Sequence, residues 1–467
     1  MILKYSFKRP TTQFYALLLA FISLTVISPL FSQNQKNIWY FGDESGLDFN
    51  TTPPTPLVDG KMRSYEGCAT ISDSAGNLLF YTNGGPLSGY GYSGGIWNRN
   101  HELMPNGVLV DSSGCTSAAV SSVIIPHPAK KEQYYVFTVN CKENDLGEGV
   151  RYSIVDMTLD GGLGDVVVRD KQVLPNAVET VTAIQHGNTC DYWIIAHENN
   201  STNFHSILVS DAGVNDSITS NVGNIDSTGW SQVSVNATGS KIAVGNYLTG
   251  VTLLDFNINT GVISNPLYLG VEAAGVAFSE SGDYLYCNDR NQSIPMWQFD
   301  LNANDILASK TFIGNANDWN NFGQMLLAPN GKIYVTEKTK HTLGVIHSPE
   351  TAGMASNYVP SDFYLSYKYN SEGLPHFANT YSRCSDVSVT KEQKNEIQIY
   401  PNPVQRKFQI TNCPSSAEIQ IFSTDLKPIA YKRSGNHIIF NQQTAAGIYF
   451  VQVVTSQATS VMKIICE

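Results

Sequence analysis

The sequence predicts an all-β chain: a seven-bladed β-propeller followed by a small immunoglobulin-like β-sandwich. Three observations carry that expectation. A strand–turn–strand unit recurs between Ile38 and Tyr381 with almost no helical periodicity. The turn glycines Gly187, Gly239, Gly282 and Gly331 are spaced by 52, 43 and 49 residues, near the length of a four-stranded blade. Beyond residue 396 the pattern changes to seven short alternating strands.

Residues 1–33 precede the fold. Lys4, Lys8 and Arg9 lead into the apolar run Tyr15 to Phe31, and Ser32 precedes a polar stretch. That is the layout of a secretory signal peptide. A retained anchor is the alternative, since the run nearly reaches spanning length. Pro29 and the missing positive flank favour cleavage. No Cys follows the run, which argues against a lipoprotein, and no other segment could span a membrane.

The mature chain is rich in Tyr and Gly and only 15% charged, the composition of a turn-rich all-β surface protein. The whole chain carries −11. The leader holds three bases and no acid, and the segment from Ile397 holds six bases and three acids. The remainder therefore carries −17, which repels phosphate backbones and disfavours nucleic acid. Export permits disulfides among the six body cysteines and the two tail cysteines, Cys413 and Cys466, but spacing leaves their connectivity open.

The body is assigned to residues 34–384. Its unit reads CATISDSAGNLLFYTNG from Cys68 and returns from Ser121, Val181, Ser231, Ala274 and Phe322. Gly76 and the later turn glycines are expected to supply the positive φ of short hairpins. A third strand follows each unit: GIWNRN, GVRYSIVDM, FHSILVS, GVTLLDFN, IPMWQFD and TLGVIHS. The leftovers make a seventh blade. EGLPHFANTY (372–381) reads as its innermost strand, paired beside NIWYFGDESGLDF (37–49). A six-bladed ring with stray ends is the alternative. NIWYFGDESGLDFN and EGCATISDSAGNLLFYTNG resemble exported bacterial propellers of the YVTN and WD-repeat-like kind. The resemblance implies architecture and a surface location, not a ligand.

Residues 385–396 read as a polar linker, and 397–467 as the sandwich. Alternation puts Ile397, Ile399, Ile419 and Ile421 on a buried face. Tyr400-Pro401-Asn402-Pro403 after an apolar strand, Ala446-Gly447-Ile448-Tyr449 before a long strand, and Lys463-Ile464-Ile465 near the end resemble the type A sorting domain of the type IX secretion system. Asp425-Leu426-Lys427 and the terminal Cys466-Glu467 depart from that pattern. The resemblance implies Tyr400, Pro401, Asn402, Pro403, Gly447, Tyr449 and Lys463 as sorting-signal residues. It also implies passage through the periplasm, recognition by the translocon, removal by a sorting peptidase within or near the linker, and release or surface attachment.

No P-loop, nucleophile elbow or dinucleotide fingerprint occurs, and no cofactor is expected. His197-Glu198 lacks the second His of a zinc helix, and His127 reads as a surface turn residue. DFNINTG from Asp255 and DLNAND from Asp300 start like calcium loops, but Asx turns explain them without a metal. One pattern points to a site. Glu66 and Glu272 each stand ten residues before their hairpin glycine, and Glu179 and Glu372 precede the same strand. Trp230 and Trp319 hold related positions in other blades. In a propeller these lead-in segments crowd one channel mouth. Carboxylates beside indoles suit carbohydrate hydroxyls and sugar faces, while solvated loops and channel packing explain the same residues without a ligand. The expected function is a surface module binding glycan or another surface protein. The alternative is a secreted polysaccharide lyase or glycosidase with paired carboxylates at the mouth.

Overall fold

The computed structural model describes residues 34–467 apart from 145, 227–230, 274, 290–294, 317–322, 383–397, 412, 415, 426, 442–443 and 455–458. The expected signal peptide, the linker 385–396, Ile397, Trp230 and Trp319 lie outside the described residues. The chain divides into two compact units, Met1–Asp386 and Val387–Glu467. Both are all-β, built from small antiparallel sheets. No helix among the described residues is long and apolar enough to cross a membrane.

In the first unit seven sheets follow one another along the chain. Sheet A holds Ile38–Phe41, Ser45–Asp48 and Thr55–Leu57; B holds Ala69–Ser72, Leu78–Thr82, Gly94–Asn98 and Leu103–Leu109. C holds Ser122–Pro126, Gln133–Val139, Val150–Asp156 and Asp165–Leu174; D holds Ala177–Gln185, Tyr192–Glu198, Ser201–Ser210 and Gly213–Asp226. E holds Ser231–Val235, Lys241–Asn246, Gly250–Phe256 and Ile263–Tyr268; F holds Val276–Phe278, Tyr284–Asn288, Pro295–Asp300 and Thr311–Asn315. G holds Met325–Leu327, Ile333–Thr336, Thr342–Ile346 and Tyr358–Tyr364. In each sheet every strand pairs with its chain neighbour, as short hairpins dictate. First strands of successive sheets lie side by side from A to G. Sheet G meets sheet A where Tyr334 packs edge-on to Trp39 (5.9 Å) and Phe49 (5.6 Å). The Asp43 N–H donates there to the Tyr369 carbonyl at 3.0 Å.

The turn chemistry follows the sequence at four of the five glycines: Gly76, Gly239, Gly282 and Gly331 have φ of 90°, 72°, 78° and 73°. Gly187 does not; the left-handed residue of that turn is Thr189, φ 63°. Gly187 is needed for another reason, because an added Cβ would sit 2.0 Å from Asn259 Oδ1. Two glutamines bind the converging first strands. The Gln232 side chain donates to the Met325 carbonyl (2.7 Å) and accepts from the Val276 (2.9 Å) and Met325 (3.1 Å) amides, joining sheets E, F and G. Gln324 donates to the Ala119 carbonyl and accepts from the Leu374 amide at 3.1 Å.

The segment 372–382 departs from expectation. It makes no backbone ladder with Ile38–Phe41; their contact is the Trp39–Phe377 ring pair, 6.2 Å between centroids. The segment enters beside sheets G and B, through Gln324 N–H to the Glu372 carbonyl (2.9 Å) and a parallel bridge of Pro375 to Cys68. It then crosses to sheet D. His376 Nε2 meets Thr182 Oγ1 at 2.7 Å, Asn379 Oδ1 accepts from the Gln185 N–H at 2.9 Å, and Tyr192 Oη donates to the Ser382 carbonyl at 2.8 Å. Proline supplies no N–H to a ladder, so this stretch is held mainly by side chains. A cavity of about 250 Å³ remains beside it, with Lys36, Gln232 and His376 in its wall.

His127 is buried rather than a surface residue, stacked on Tyr135 at 5.0 Å, with Nδ1 accepting the Ala129 N–H. His197 lies in a strand, stacked on Phe204 at 4.1 Å. Asn257 and Asp300 form the expected Asx turns by accepting the amides of Asn259 and Asn302. Cys115 and Cys141 form a disulfide, whereas Cys68, Cys287, Cys413 and Cys466 are buried free thiols.

The second unit has two sheets. One is ordered Gln398–Tyr400, Lys407–Thr411, His437–Phe440, Tyr431–Ser434; the other Glu418–Ser423, Gly447–Val454, Thr459–Cys466. Ile419 and Ile421 are buried and Ile399 packs against the same cluster.

Candidate functional site

The lead-in side of the first strands carries a cluster of charge. Glu66 precedes Ala69–Ser72, with its backbone N–H on the Thr116 carbonyl at 2.9 Å. Glu372 opens the crossing segment, and its N–H donates to the Tyr65 carbonyl at 3.1 Å. Gly373 makes this approach possible: an added Cβ there would lie 1.7 Å from the Glu66 carbonyl oxygen. Glu179 sits inside its strand, not before it, and is fully buried. Its Oε1 accepts the Lys142 N–H at 2.9 Å, and Oε2 has no hydrogen-bond partner. The Cys115–Cys141 disulfide pins the two loops around it, and Ser117 of one loop reaches Glu143 Oε1 of the other at 3.5 Å.

Burial pushes the Glu66 carboxyl well above the usual range, and the charges of Glu372, Glu179 and Glu143 push it further; only Lys338 opposes them. Burial likewise raises Glu179 to about 8 against the Lys142 amide, with Glu143 adding to the rise. Glu372 is treated differently, because it is ion-paired with Lys338. Lys338 also donates to Tyr65 Oη at 2.8 Å and lies over that ring at 4.8 Å. Burial disfavours the Lys338 cation, but its bonds to Glu372 and Tyr65 hold its pKa above the ordinary value. The result is two carboxyls whose proton affinity burial raises, near a third held in an ion pair.

Of the expected residues, Glu66, Glu179 and Glu372 therefore act on one another. Glu272 is exposed and stands outside the charges acting on Glu66. Lys338, Tyr65 and Glu143 were not anticipated. Lys338 and Glu143 follow the second strands of sheets G and C, whose ends return to the same side as the first-strand starts. That rule was available, and so was Tyr65 as the neighbour of Glu66. Among the described residues no group of three or more His, Cys, Asp or Glu could hold a metal ion.

In the second unit the motif pieces meet. Asn402 donates from Nδ2 to the Lys463 carbonyl (3.1 Å) and accepts at Oδ1 from the Ile465 N–H (2.9 Å). Val404 pairs in parallel with Cys466. Tyr449 is buried, pairs with Ile464 and donates from Oη to the Ala445 carbonyl at 2.9 Å, while Tyr400 and Lys463 are exposed.

The last strands of this all-β chain thus gather the motifs into one C-terminal domain. Residues 398–467 match the family described as the secretion system C-terminal sorting domain. This domain marks the chain for the type IX translocon and its peptidase, and for the exterior of the cell. No curated protein matches the chain. Among solved structures, it is similar to a putative 6-phosphogluconolactonase from Bacteroides uniformis, at 11% identity and a TM-score of 0.46, over 71% of this chain and 98% of that one. A second putative 6-phosphogluconolactonase, from Bacteroides fragilis, gives 11% and 0.47 over 72% and 96%. TolB from Acinetobacter baumannii gives 12% and 0.34 over 61% and 62%.

Proposed function

We propose that the first unit is a seven-bladed propeller, sheets A to G being its blades, and that its acidic mouth cleaves carbohydrate by acid–base chemistry. The observation that carries this reading is the unequal treatment of neighbouring carboxyls: Glu66 pushed by burial toward its protonated form, Glu372 held in an ion pair with Lys338. Glu66 donates its proton to the departing glycosidic oxygen. The Glu372 carboxylate takes a proton from the water that attacks the sugar carbon, so the new C–O bond forms as the glycosidic C–O bond breaks, and Lys338 with Tyr65 fixes its position. Glu179, buried behind them, has its own proton affinity raised by burial, and its charge adds to the rise at Glu66. Cleavage of the leader after residue 33, and of the tail within 385–396, completes the working form.

The test is release of reducing ends from a panel of polysaccharides and aryl glycosides. Glu66→Gln keeps shape and removes the proton, and is expected to lower turnover about 10²-fold or more. Unchanged turnover in that variant ends the acid–base reading. A binding module for glycan or a surface protein is the second reading, favoured by the exposed tyrosines Tyr364, Tyr367 and Tyr369. Saturable binding with no turnover on any substrate selects it.

A further inference from the structure

The sequence DFYLSYKYN (362–370) leaves the last strand of sheet G with three tyrosines in the open. Tyr364, Tyr367 and Tyr369 are 61%, 63% and 45% exposed. Large rings kept in water at three nearby positions ask for an explanation, because scattered exposure is ordinary and clustered exposure is not. They are also ordered. His341 packs against Tyr369 at 3.9 Å and Tyr364 at 6.4 Å, and Lys368 lies over Tyr367 at 5.5 Å.

From Tyr369 a continuous line of contacts leads to the carboxyl site. The Tyr369 carbonyl accepts the Asp43 N–H at 3.0 Å. Asp43 pairs with Arg63 at 2.8 Å, and Arg63 lies over Tyr92 at 5.0 Å. Tyr92 meets Tyr65 edge-on at 6.0 Å, and Tyr65 carries Lys338 with its partner Glu372. Every cation on this path has an acid: Lys368 with Glu44 at 2.6 Å, Arg63 with Asp43, Lys338 with Glu372. The path is aromatic and locally neutral, on a body carrying net negative charge.

We propose that this path is an extended binding track for a neutral polysaccharide, running from Tyr364 and Tyr369 to the Glu66–Glu372 site. Ring faces stack on sugar faces, and the paired charges offer hydrogen bonds to hydroxyls without attracting a polyanion. The proposal rests on the reading of the carboxyl site as a carbohydrate site, and makes its substrate a polymer rather than a small glycoside.

Affinity electrophoresis of the full chain in gels containing laminarin, xyloglucan, galactomannan or alginate tests it. At least one neutral polymer is expected to retard the protein. The double variant Tyr364→Ala/Tyr369→Ala is expected to weaken that retardation at least tenfold while the chain still melts cooperatively, since both rings are exposed and Tyr369 loses only its packing on His341. Tyr369→Phe keeps the ring and is expected to keep binding. Retardation by alginate alone, by no polymer, or to the same extent in the double variant overturns the track. Turnover of small aryl glycosides without polymer retardation removes the track and leaves the acid–base reading standing. Retardation lost in the double variant, with turnover absent throughout, does the reverse.

Discussion

The two ends of the crossing segment 372–382 show burial acting on opposite kinds of group. Where the segment begins, burial raises the proton affinity of Glu66 and Glu179. Further along, it lowers that of the bases: His376 to about 3, with the nearby Lys36 charge adding to burial, and Lys36 to about 8. Desolvation favours the neutral form whatever the sign. The ends differ in what opposes it. Lys338 and backbone donors face the acids, whereas Lys36 meets the Asn379 carbonyl (2.7 Å) and the Tyr381 ring (6.0 Å), and His376 the Thr182 hydroxyl. One end therefore sets acids against a cation. The other sets a weakened cation beside a histidine that it helps to keep neutral.

The strongest way to break this comparison is to move the segment. Gly373→Ala forces the backbone off the Glu66 carbonyl, and is expected to cost about 1–3 kcal/mol or more in urea unfolding. If stability is unchanged, the close approach does not hold the segment. Next comes the acid end. Glu179 binds a proton more tightly folded than unfolded, so its contribution to stability falls as pH rises from about 4.5 to about 8. Glu179→Gln keeps the acceptor for Lys142 and is expected to flatten that fall, visible as higher relative stability at pH 8 than at pH 5.

The opposite sign belongs to His376. The unfolded chain binds its proton between pH 6.5 and about 3 and the folded protein does not, so stability falls as pH drops through that window. His376→Gln is expected to shrink this acid limb in denaturation curves taken from pH 6.5 to 3. The smallest effect is Lys36→Met. It removes the gain in stability expected between pH 8 and 10.5 and, by taking away the charge that helps lower His376, makes the acid limb below pH 6.5 slightly shallower.

Much of the strand order was legible because hairpin spacing and alternation are local. All six expected third strands and all seven tail strands appear where the sequence puts them. The crossing segment was not, since its partners are remote side chains. Its backbone pairing is limited to a parallel bridge of Pro375 to Cys68, not the ladder its apolar pattern suggests. The site was half legible. A fixed distance before a hairpin glycine found Glu66, but the same spacing chose the exposed Glu272. Lys338 was missed because its role depends on how sheets G and B converge.

The crossing segment also sets the clock for folding. Lys36 holds Asn379 across 343 residues, Glu44 holds Lys368 across 324, and Tyr192 holds Ser382 across 190. Each hairpin can form within microseconds of its own accord, yet these closures need the last part of the unit to be present. Closing such long loops costs entropy before any contact repays it, which slows the search. A ribosome or a secretion pore delivers residue 382 near the end. Until then the contacts that this segment makes with sheets B, D and G are missing, and the unit reaches its final packing only after nearly all of its chain has emerged.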